Sequence, residues 1–234
     1  MDASFALLVP EVPTSSPQMI ARRSMAPASR SDVLDELQLT EIRRYDARQT
    51  IFAAGDAARL VYEVVNGVAM VSQRLPDGRR QVLDIVGAGR LLGLGSGSRH
   101  DCSAESLTAC VVRGYQRAGV ETAPRTHARI LQAMALDMRR MRQHLSINGR
   151  KFAVERVAAF LESLVDQSAS TPIIVVPLSR GELAEYIGLT LETTSRCFAR
   201  LKRLKVLGKE HGDLVHVLDW PRLRQLARGV GVED

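Results

Sequence analysis

The sequence predicts an α+β protein in which an antiparallel β-roll is followed by one long helix and a C-terminal group of short helices. Three features of the 234 residues predict this order. Short apolar runs broken by glycine turns fill the first half, an apolar repeat of about 3.5 residues follows, and two short helical segments joined by a glycine lie near the end. We therefore expect a tail over residues 1–30, the roll over 31–122, the long helix over 123–152 and a C-terminal domain over 153–234.

The composition of the chain excludes several classes of protein. Hydrophobic residues make up 45% of the sequence, close to the globular average, so the chain is not disordered throughout. No apolar window reaches the roughly 20 residues that cross a bilayer, and three cysteines are too few for a disulfide scaffold. The apolar run from Phe5 to Val9 follows Asp2 rather than a cation, unlike a secretory signal. We expect a soluble cytoplasmic protein without a membrane partner. Its net charge of +6 mildly favours a polyanionic binding partner.

The first half of the chain predicts a proline-rich tail and then the roll. Four of the nine prolines fall within the first thirty residues, which favours a flexible tail, and a short helix is expected over Val33–Leu39. Between Arg43 and Arg117, apolar and β-branched runs are separated by turns such as Asn66-Gly67 and Asp77-Gly78. These dipeptides supply the positive φ of tight hairpins, so the pattern predicts antiparallel strands over residues 50–52, 61–65, 68–72, 81–86 and 110–115.

The long helix carries an apolar stripe whose members are separated alternately by four and three residues between His127 and Phe152. A period of about 3.5 residues is typical of a seam between two paired helices, and it predicts a homodimer. The alternative is an amphipathic helix that lies on the roll of its own chain. Asn148 continues the stripe, where an asparagine would set the register of the pair. Five consecutive positions of the stripe form the predicted seam: Leu131, Met134, Met138, Met141 and Leu145.

Residues 177–204 contain the signals of two short helices joined by a tight turn. Ser179 can cap the first helix, and Glu182 three residues later can close a capping box. Gly188 permits the turn, and Thr190 can cap a second helix that runs to about Leu204. This arrangement predicts a helix-turn-helix, whose second helix enters the major groove of DNA. The alternative is a three-helix packing module that does not bind DNA.

The second helix of this motif offers polar and basic side chains on its outer face. Arginine can bind guanine through two hydrogen bonds, and glutamate can accept one from the amino group of cytosine. Between Thr193 and Lys209 there are six cations and no carboxylate, which favours contact with phosphates. The runs over 206–208 and 214–218 would pair as the strands of a wing. The outward positions are Glu192, Thr193, Ser195, Arg196 and Arg200.

This order of a β-roll, a seam helix and a winged helix-turn-helix resembles the CRP/FNR family of bacterial transcription regulators, whose roll is of the cyclic-nucleotide-binding type. The resemblance covers about residues 40–225. Its most specific segments are IFAAGD at Ile51–Asp56, the hairpin over Val64–Gln81 and LTLETTSR at Leu189–Arg196. The spacing of Glu192, Ser195 and Arg196 is similar to that of the FNR and FixK branches. Leu191 stands where the cAMP-responsive branch has a base-reading arginine, which again favours a FixK-like regulator.

The resemblance implies the roles of individual residues. Glu192, Ser195 and Arg196 would read the half-sites of a TTGA-N6-TCAA palindrome. Backbone phosphates would be held by residues of both helices, namely Ser179, Arg180, Thr190 and Thr193, and Arg200 is expected to join them. The family usually has Val or Ile where this chain has Thr194, so the Thr194 hydroxyl needs a partner such as a carbonyl one turn back. The resemblance also implies a homodimeric activator that contacts RNA polymerase.

The roll lacks the residues that would identify a ligand. Cyclic-nucleotide-binding relatives have a Gly-Glu pair and a later Arg-Ser pair, but Leu94 stands at the glutamate position and Asp101 falls where the second pair would be. A carboxylate there repels a phosphate, although Arg99 is an imperfect substitute. The first hundred residues hold no cysteine for an iron–sulfur cluster, and His100 and His127 are lone histidines. We expect no cofactor and no metal. A ligand-gated regulator whose roll binds a cyclic nucleotide or haem is the alternative.

Two further expectations concern chemistry. Cys197 lies between Arg196 and Arg200, which could lower the pKa of its thiol and make it a redox switch beside the DNA. No nucleophile–base pair, carboxylate dyad or metal set is recognisable, so we expect no catalytic residue and no enzyme activity.

Overall fold

The computed structural model of the chain describes residues 39–95, 97–122, 124–165 and 172–230. The predicted tail over residues 1–30 lies outside these ranges, as does the predicted helix over Val33–Leu39 except for Leu39, which begins a strand. The described elements form an N-terminal β-roll, a long helix and a C-terminal domain of short helices with a small sheet. This arrangement confirms the predicted α+β fold.

The roll consists of two four-stranded sheets whose described pairings are antiparallel. Its strands are β1 (Leu39–Tyr45), β2 (Thr50–Phe52), β3 (Leu60–Asn66), β4 (Val68–Arg74), β5 (Arg80–Gly87), β6 (Leu91–Leu92), β7 (Ser103–Ser106) and β8 (Cys110–Gln116). One sheet has the order β1-β8-β3-β6 and the other the order β2-β7-β4-β5. The five predicted strands correspond to β2, β3, β4, β5 and β8.

Apolar side chains fill the space inside the roll. Val64, Ala69, Ala104 and Val112 have no exposed surface and belong to one cluster. Gly67 makes the tight turn between β3 and β4 with a φ of 86°, and a side chain there would collide with the carbonyl oxygen of Ala109. The turn therefore requires glycine for both its backbone conformation and its close packing.

Two helices follow the roll, α1 (Arg117–Thr122) and the long helix α2 (Pro124–Asn148). Helix α2 ends at Asn148, four residues before the predicted boundary at 152. Gly149 follows it, and Phe152 is already the N-cap of the next helix, α3 (Ala153–Ser163). Glycine disfavours the helical conformation, so the chain leaves the helix at this point.

Among the described helices, none combines the length and the apolar character needed to span a bilayer.

Two neighbouring stripes of α2 have different surroundings. One stripe faces the same chain, and Ile130 and Ile147 are buried within it. The other is the seam, whose five residues are exposed to between 48% and 70%: Leu131, Met134, Met138, Met141 and Leu145. Helix α2 therefore does lie on its own chain, as the alternative had it, but through the other stripe, and the apolar seam is left uncovered.

Asn148 does not continue the seam. Its side-chain nitrogen lies 3.4 Å from the carbonyl oxygen of Tyr186 in the same chain, and the residue is half-buried. A strict 3.5-residue repeat drifts by about 20° per heptad on a straight α-helix, because that helix has 3.6 residues per turn. This drift turns position 148 towards its own chain. Asn148 therefore contacts its own chain here, and its role in the register of a helix pair stays a prediction.

A buried ion cluster fixes α2 to the roll. Arg90 is 8% exposed, and its Nη2 lies 2.5 Å from Asp84 Oδ2 and 2.8 Å from Asp137 Oδ1 of α2. Its Nη1 also donates to the carbonyl oxygen of Ile85 at 2.8 Å. Burial alone lowers the pKa of Arg90, but the two carboxylates outweigh burial and raise it. The guanidinium is thus charged and compensated, as a buried charge must be.

The C-terminal domain contains α3, α4 (Arg180–Ile187), α5 (Leu191–Arg203) and α6 (Trp220–Ala227). Its sheet has the order β10-β11-β9, with β9 (Ile173–Val175), β10 (Leu207–His211) and β11 (Leu214–Val217). The hairpin β10–β11 follows α5 directly. The predicted winged helix-turn-helix is therefore confirmed, with α5 as its second helix. One core unites these elements and includes the fully buried Phe160, Leu183, Ile187, Leu201 and Leu223.

Thr194 lies in this core without the predicted partner. The residue has no exposed surface, and its hydroxyl oxygen finds no hydrogen-bond partner within the described part of the chain. The carbonyl oxygen of Thr190, one turn back, accepts only the backbone N–H of Thr194, at 2.9 Å. A buried hydroxyl without a partner lowers stability, because it has lost its water and gained nothing in return.

We expect Thr194→Val to raise the free energy of unfolding by about 1 kcal/mol, because a methyl group of similar shape replaces an unpartnered hydroxyl. Urea unfolding followed by circular dichroism measures this change. Thr193→Val is the matched control, since the hydroxyl of Thr193 has a partner, and it should not stabilise the protein. A loss of stability in Thr194→Val would show that the hydroxyl is satisfied after all.

Candidate DNA-binding surface

Helix α4 begins with the predicted capping box. Ser179 has the extended conformation of an N-cap, with φ −62° and ψ 163°, and its Oγ accepts from the backbone N–H of Glu182 at 3.2 Å. The Glu182 carboxylate accepts from the backbone N–H of Ser179 at 2.8 Å in return. The helix ends at Gly188, whose φ of 64° lies in the left-handed region that favours glycine. Local sequence therefore determines both ends of α4.

Thr190 caps helix α5, as predicted. Its Oγ1 accepts from the backbone N–H of Thr193 at 3.1 Å, and the two threonine hydroxyls lie 2.8 Å apart. The inner face of the helix is buried against the domain core through Thr194, Cys197, Phe198 and Leu201. This packing fixes which face of α5 points outward.

The outer face of α5 exposes the three side chains that were expected to read bases. The side chains of Glu192 and Arg196 are 73% and 79% exposed, and Ser195 beside them is exposed as well. Glu192 Oε1 lies 2.5 Å from Arg196 Nη2, so the two residues form an ion pair one turn apart. An exposed pair of this kind is weak in water, and both side chains can exchange it for other partners.

Arg180, which was expected to hold a phosphate, contacts its own chain. Its Nη2 lies 2.8 Å from Glu210 Oε1 of β10, and its guanidinium stacks 3.4 Å above the ring of Phe198. Burial lowers the pKa of Arg180, and the nearby Glu210 counteracts this effect. Arg180 thus joins α4, α5 and the wing, and a phosphate at this position has to compete with Glu210.

The remaining basic residues lie along the second half of α5 and on the wing. Lys202 Nζ is 3.2 Å from Glu210 Oε1, so Glu210 compensates two cations at once. Arg203, Lys205 and Lys209 are exposed as well, and Arg200 is half-buried. Exposed cations at the end of α5 and on the wing suit a nucleic-acid backbone.

Cys197 does not have the lowered pKa that its arginine neighbours suggested. The residue is 7% exposed, and burial raises the pKa of its thiol, while Arg200 opposes this effect only in part. The prediction of a lowered pKa is therefore wrong, because burial on the inner face of α5 outweighs the neighbouring charge. Burial also raises the pKa of Cys110 to about 11 and of Cys102 to about 12.

The roll uses the residues of its expected ligand segment for contacts of its own. Leu94 packs against the cluster that contains Tyr115 and Ile130, and Arg99 Nη1 donates to the carbonyl oxygen of Gly55 at 2.5 Å. His100 is 7% exposed and stacks 3.8 Å from the ring of Phe52. With an apolar side chain, an engaged cation and the carboxylate of Asp101, this segment does not fit a cyclic phosphate.

Three ion pairs connect α4 to the roll. Arg48 Nη1 contacts Glu182 Oε1, and Arg80 lies 2.8 Å from Glu185 Oε2 through Nε and 3.9 Å from Glu182 Oε1 through Nη2. Glu182 therefore serves both the capping box of α4 and the contact with the roll. Sequence reasoning found the first role and missed the second, because Arg48 and Glu182 are far apart in the chain.

The fold and this surface define a DNA-binding transcription regulator with a β-roll and a winged helix-turn-helix. The model of the cyclic nucleotide-binding domain matches residues 42–126, and that of the Crp-like helix-turn-helix domain matches residues 155–226. The chain belongs to the CRP/FNR family and is FixK-like, as its resemblance indicated.

Three similar proteins support this assignment. The nitrogen fixation regulation protein FixK of Bradyrhizobium diazoefficiens is 32% identical over 214 residues, which are 84% of this chain and 90% of the relative. The transcriptional activatory protein AadR of Rhodopseudomonas palustris is 32% identical over 198 residues, 81% of this chain and 82% of the relative. The structure of FixK2 from Bradyrhizobium japonicum is 30% identical with a TM-score of 0.72, and the match covers 85% of this chain and all of that one. These relatives are regulators and not enzymes.

Glu182 makes the stability of the protein depend on pH in the acid range. Burial alone raises the pKa of its carboxyl, but hydrogen bonds with Ser179 and the charge of Arg48 outweigh burial and lower it. A carboxyl with a lowered pKa stabilises the folded state above its unfolded pKa, about 4.3 for glutamate, and this stabilisation disappears as the pH falls through the folded value.

We expect Glu182→Gln to reduce the free energy of unfolding at about pH 6, and to reduce it progressively less towards about pH 3, because the wild-type stabilisation is lost as the pH falls through the lowered pKa of the native carboxyl. Urea unfolding at the two pH values measures the difference. Glu192→Gln, on the exposed face of α5, is the control and should show little change at either pH. An equal loss at both pH values in Glu182→Gln would contradict this explanation.

Proposed function

We propose that the protein is a homodimeric transcription activator that binds a palindromic operator of the type TTGA-N6-TCAA. The observation that carries this proposal is the outer face of α5, where a carboxylate and a guanidinium stand one turn apart on the second helix of a helix-turn-helix. In this motif, that helix lies in the major groove. AadR, to which the chain is similar, is named as a transcriptional activatory protein, which supports activation.

Base reading would rest on Glu192, Ser195 and Arg196. Each TTGA half-site contains one G·C pair, whose guanine offers O6 and N7 as acceptors and whose cytosine offers an amino group. Arg196 is suited to the guanine and Glu192 to the amino group, while Ser195 between them can donate or accept. All three are exposed on the same face of α5.

Phosphate contacts would position this helix without reading sequence. Ser179 and Thr190 occupy the N-caps of α4 and α5, where backbone N–H groups and the helix dipole favour an anion. Thr193 and Arg200 lie on the flanks of α5. Arg180 would join them by exchanging Glu210 for a phosphate.

The exposed seam of α2 supports a second copy of this chain as its partner. Helix α2 is about 37 Å long, and its own chain covers only the neighbouring stripe. Five Leu and Met side chains in a line are unfavourable in water, and their spacing is that of knobs in a two-stranded coiled coil. Such a pair would present two α5 helices to half-sites about 34–36 Å apart.

Activation further requires contact with RNA polymerase, and we propose no particular surface for it. The internal contacts of Leu94, Arg99 and His100 favour a regulator that needs no cyclic nucleotide or haem to bind DNA.

Selection of bound sequences from a random DNA pool tests the proposed function, because a TTGA-type inverted repeat should be enriched without any added ligand.

Arg196→Ala should weaken operator binding by about 1–3 kcal/mol and relax the preference at a single base pair of each half-site. Arg200→Ala is the matched comparison and should weaken binding to all DNA sequences alike. The slope of its logarithmic affinity against the logarithm of salt concentration should be smaller by about one. Binding to the operator and its base-substituted variants, measured by fluorescence anisotropy at several salt concentrations, separates the two effects. If Arg196→Ala keeps the wild-type ranking of base substitutions, the assignment of this residue to base reading is wrong.

Leu145→Lys should convert the protein into a monomer, because the seam would have to bury two ammonium groups across the two-fold axis. Ser146→Lys is the control, since position 146 is exposed about 100° further round the helix. Sedimentation velocity measures the oligomeric state. A dimer that persists in Leu145→Lys with unchanged affinity would exclude this seam as the interface.

A further inference from the structure

The last turn of α4 presents backbone carbonyl groups that its own helix cannot satisfy. The final carbonyls of any α-helix lack partners in the next turn. In α4 these include the carbonyl oxygens of Tyr186 and Gly188, which lie at the turn between the two helices of the DNA-binding motif. Donors from outside the motif contact both of them, and these donors belong to α2 and α3.

Helix α2 supplies two of the donors. His144 Nε2 lies 2.7 Å from the carbonyl oxygen of Tyr186, and because a carbonyl oxygen only accepts, Nε2 carries the hydrogen. The rings of His144 and Tyr186 also stack, with centroids 3.9 Å apart and planes inclined by 15°. Asn148 Nδ2 donates to the same carbonyl at the longer distance of 3.4 Å. The C-terminal end of α2 therefore contacts the end of α4 through hydrogen bonds and ring stacking.

Arg156 of α3 supplies the third donor. Its Nη1 lies 3.3 Å from the carbonyl oxygen of Gly188, and its Nε donates to the carbonyl oxygen of Arg150 at 3.0 Å. One guanidinium thus links the turn of the helix-turn-helix to the connection between α2 and α3. A cation at this position also interacts favourably with the C-terminal end of the α4 dipole.

We propose that His144, Asn148 and Arg156 form a turn clamp that fixes the direction of α5 relative to α2 and thereby sets the half-site spacing that the protein accepts. This inference rests on the proposed function. In a dimer paired through α2, the distance between the two recognition helices depends on how each α5 is held on its own α2. One base pair of added spacing moves a half-site by 3.4 Å along the DNA and rotates it by about 36°, so a small change in this direction matters.

The turn clamp can be removed without removing the motif. Helices α4 and α5 pack through their own buried side chains, among them Leu183, Ile187 and Leu201. Ion pairs with Arg48 and Arg80 also hold α4 to the roll, through Glu182 in its first turn and Glu185 in its second. Loss of the clamp therefore leaves a folded helix-turn-helix that is still attached to the roll.

The test compares duplexes with the same two half-sites separated by five, six or seven base pairs, together with a duplex that carries one half-site. Wild-type protein should prefer the spacing of six. In Arg156→Ala and in His144→Ala, we compare the affinity for the duplex with six base pairs between the half-sites with the affinity for those with five or seven. We expect this ratio to fall by roughly ten-fold, while the affinity for the single half-site stays unchanged. Arg156→Lys keeps the charge but replaces the two separate donors Nε and Nη1 by a single nitrogen, so its spacing ratio should lie between those of the wild type and Arg156→Ala.

Arg139→Ala is the matched control, because it removes the same charge from an exposed position of α2 outside the clamp. His144→Gln serves if a truncation unfolds the protein, since its amide can donate to the carbonyl but cannot stack on Tyr186.

Three results would overturn the turn clamp: an unchanged spacing ratio in the variants, an equal loss of affinity for the single half-site, or the same loss in Arg139→Ala. If wild-type protein binds none of these duplexes, whatever the spacing of their half-sites, the proposed function is instead overturned.

Discussion

The carboxylate of Glu182 is the point on which both the local and the long-range structure of this protein depend. It closes the capping box with Ser179 and so begins α4, and it also receives Arg48 from the roll. Because one side chain serves both contacts, the first helix of the DNA-binding motif forms where the roll can hold it. The buried cluster of Arg90 with Asp84 and Asp137 then fixes α2 to the same roll. Roll, long helix and DNA-binding domain are thus connected by charges placed at their junctions.

The sequence predicts the parts of this structure whose causes are local. Gly67 and Gly188 mark turns that need a positive φ, and the caps at Ser179 and Thr190 lie within three residues of the groups they bind. Strands β1, β6 and β7 escape prediction because they are short or largely exposed, and β1 contains three charged residues and no continuous apolar face. The apolar period of α2 predicts its seam. The face that contacts the same chain has only Ile130 and Ile147 as widely separated apolar residues and is polar at Asp137 and His144, so it shows no regular hydrophobic repeat.

Interactions between distant residues explain the predictions that were wrong or incomplete. The pKa of Cys197 follows from burial in a core that the neighbouring arginines do not reveal. Arg180 is positioned by Glu210 from the wing, and Thr194 is buried without a partner although a polar residue at such a position usually has one. In each case the side chain responds to groups brought together by folding, and a motif match identifies the position without its surroundings.

The ion pair between Glu192 and Arg196 has a consequence for how the proposed operator would be told apart from other DNA. In free protein these two groups form an exposed pair, which costs little to separate. A sequence with a correctly placed G·C pair gives both groups a new partner, whereas a mismatched one leaves at least one charge in the groove without a partner. Desolvation of that charge would then add to the difference in binding free energy between the operator and other DNA.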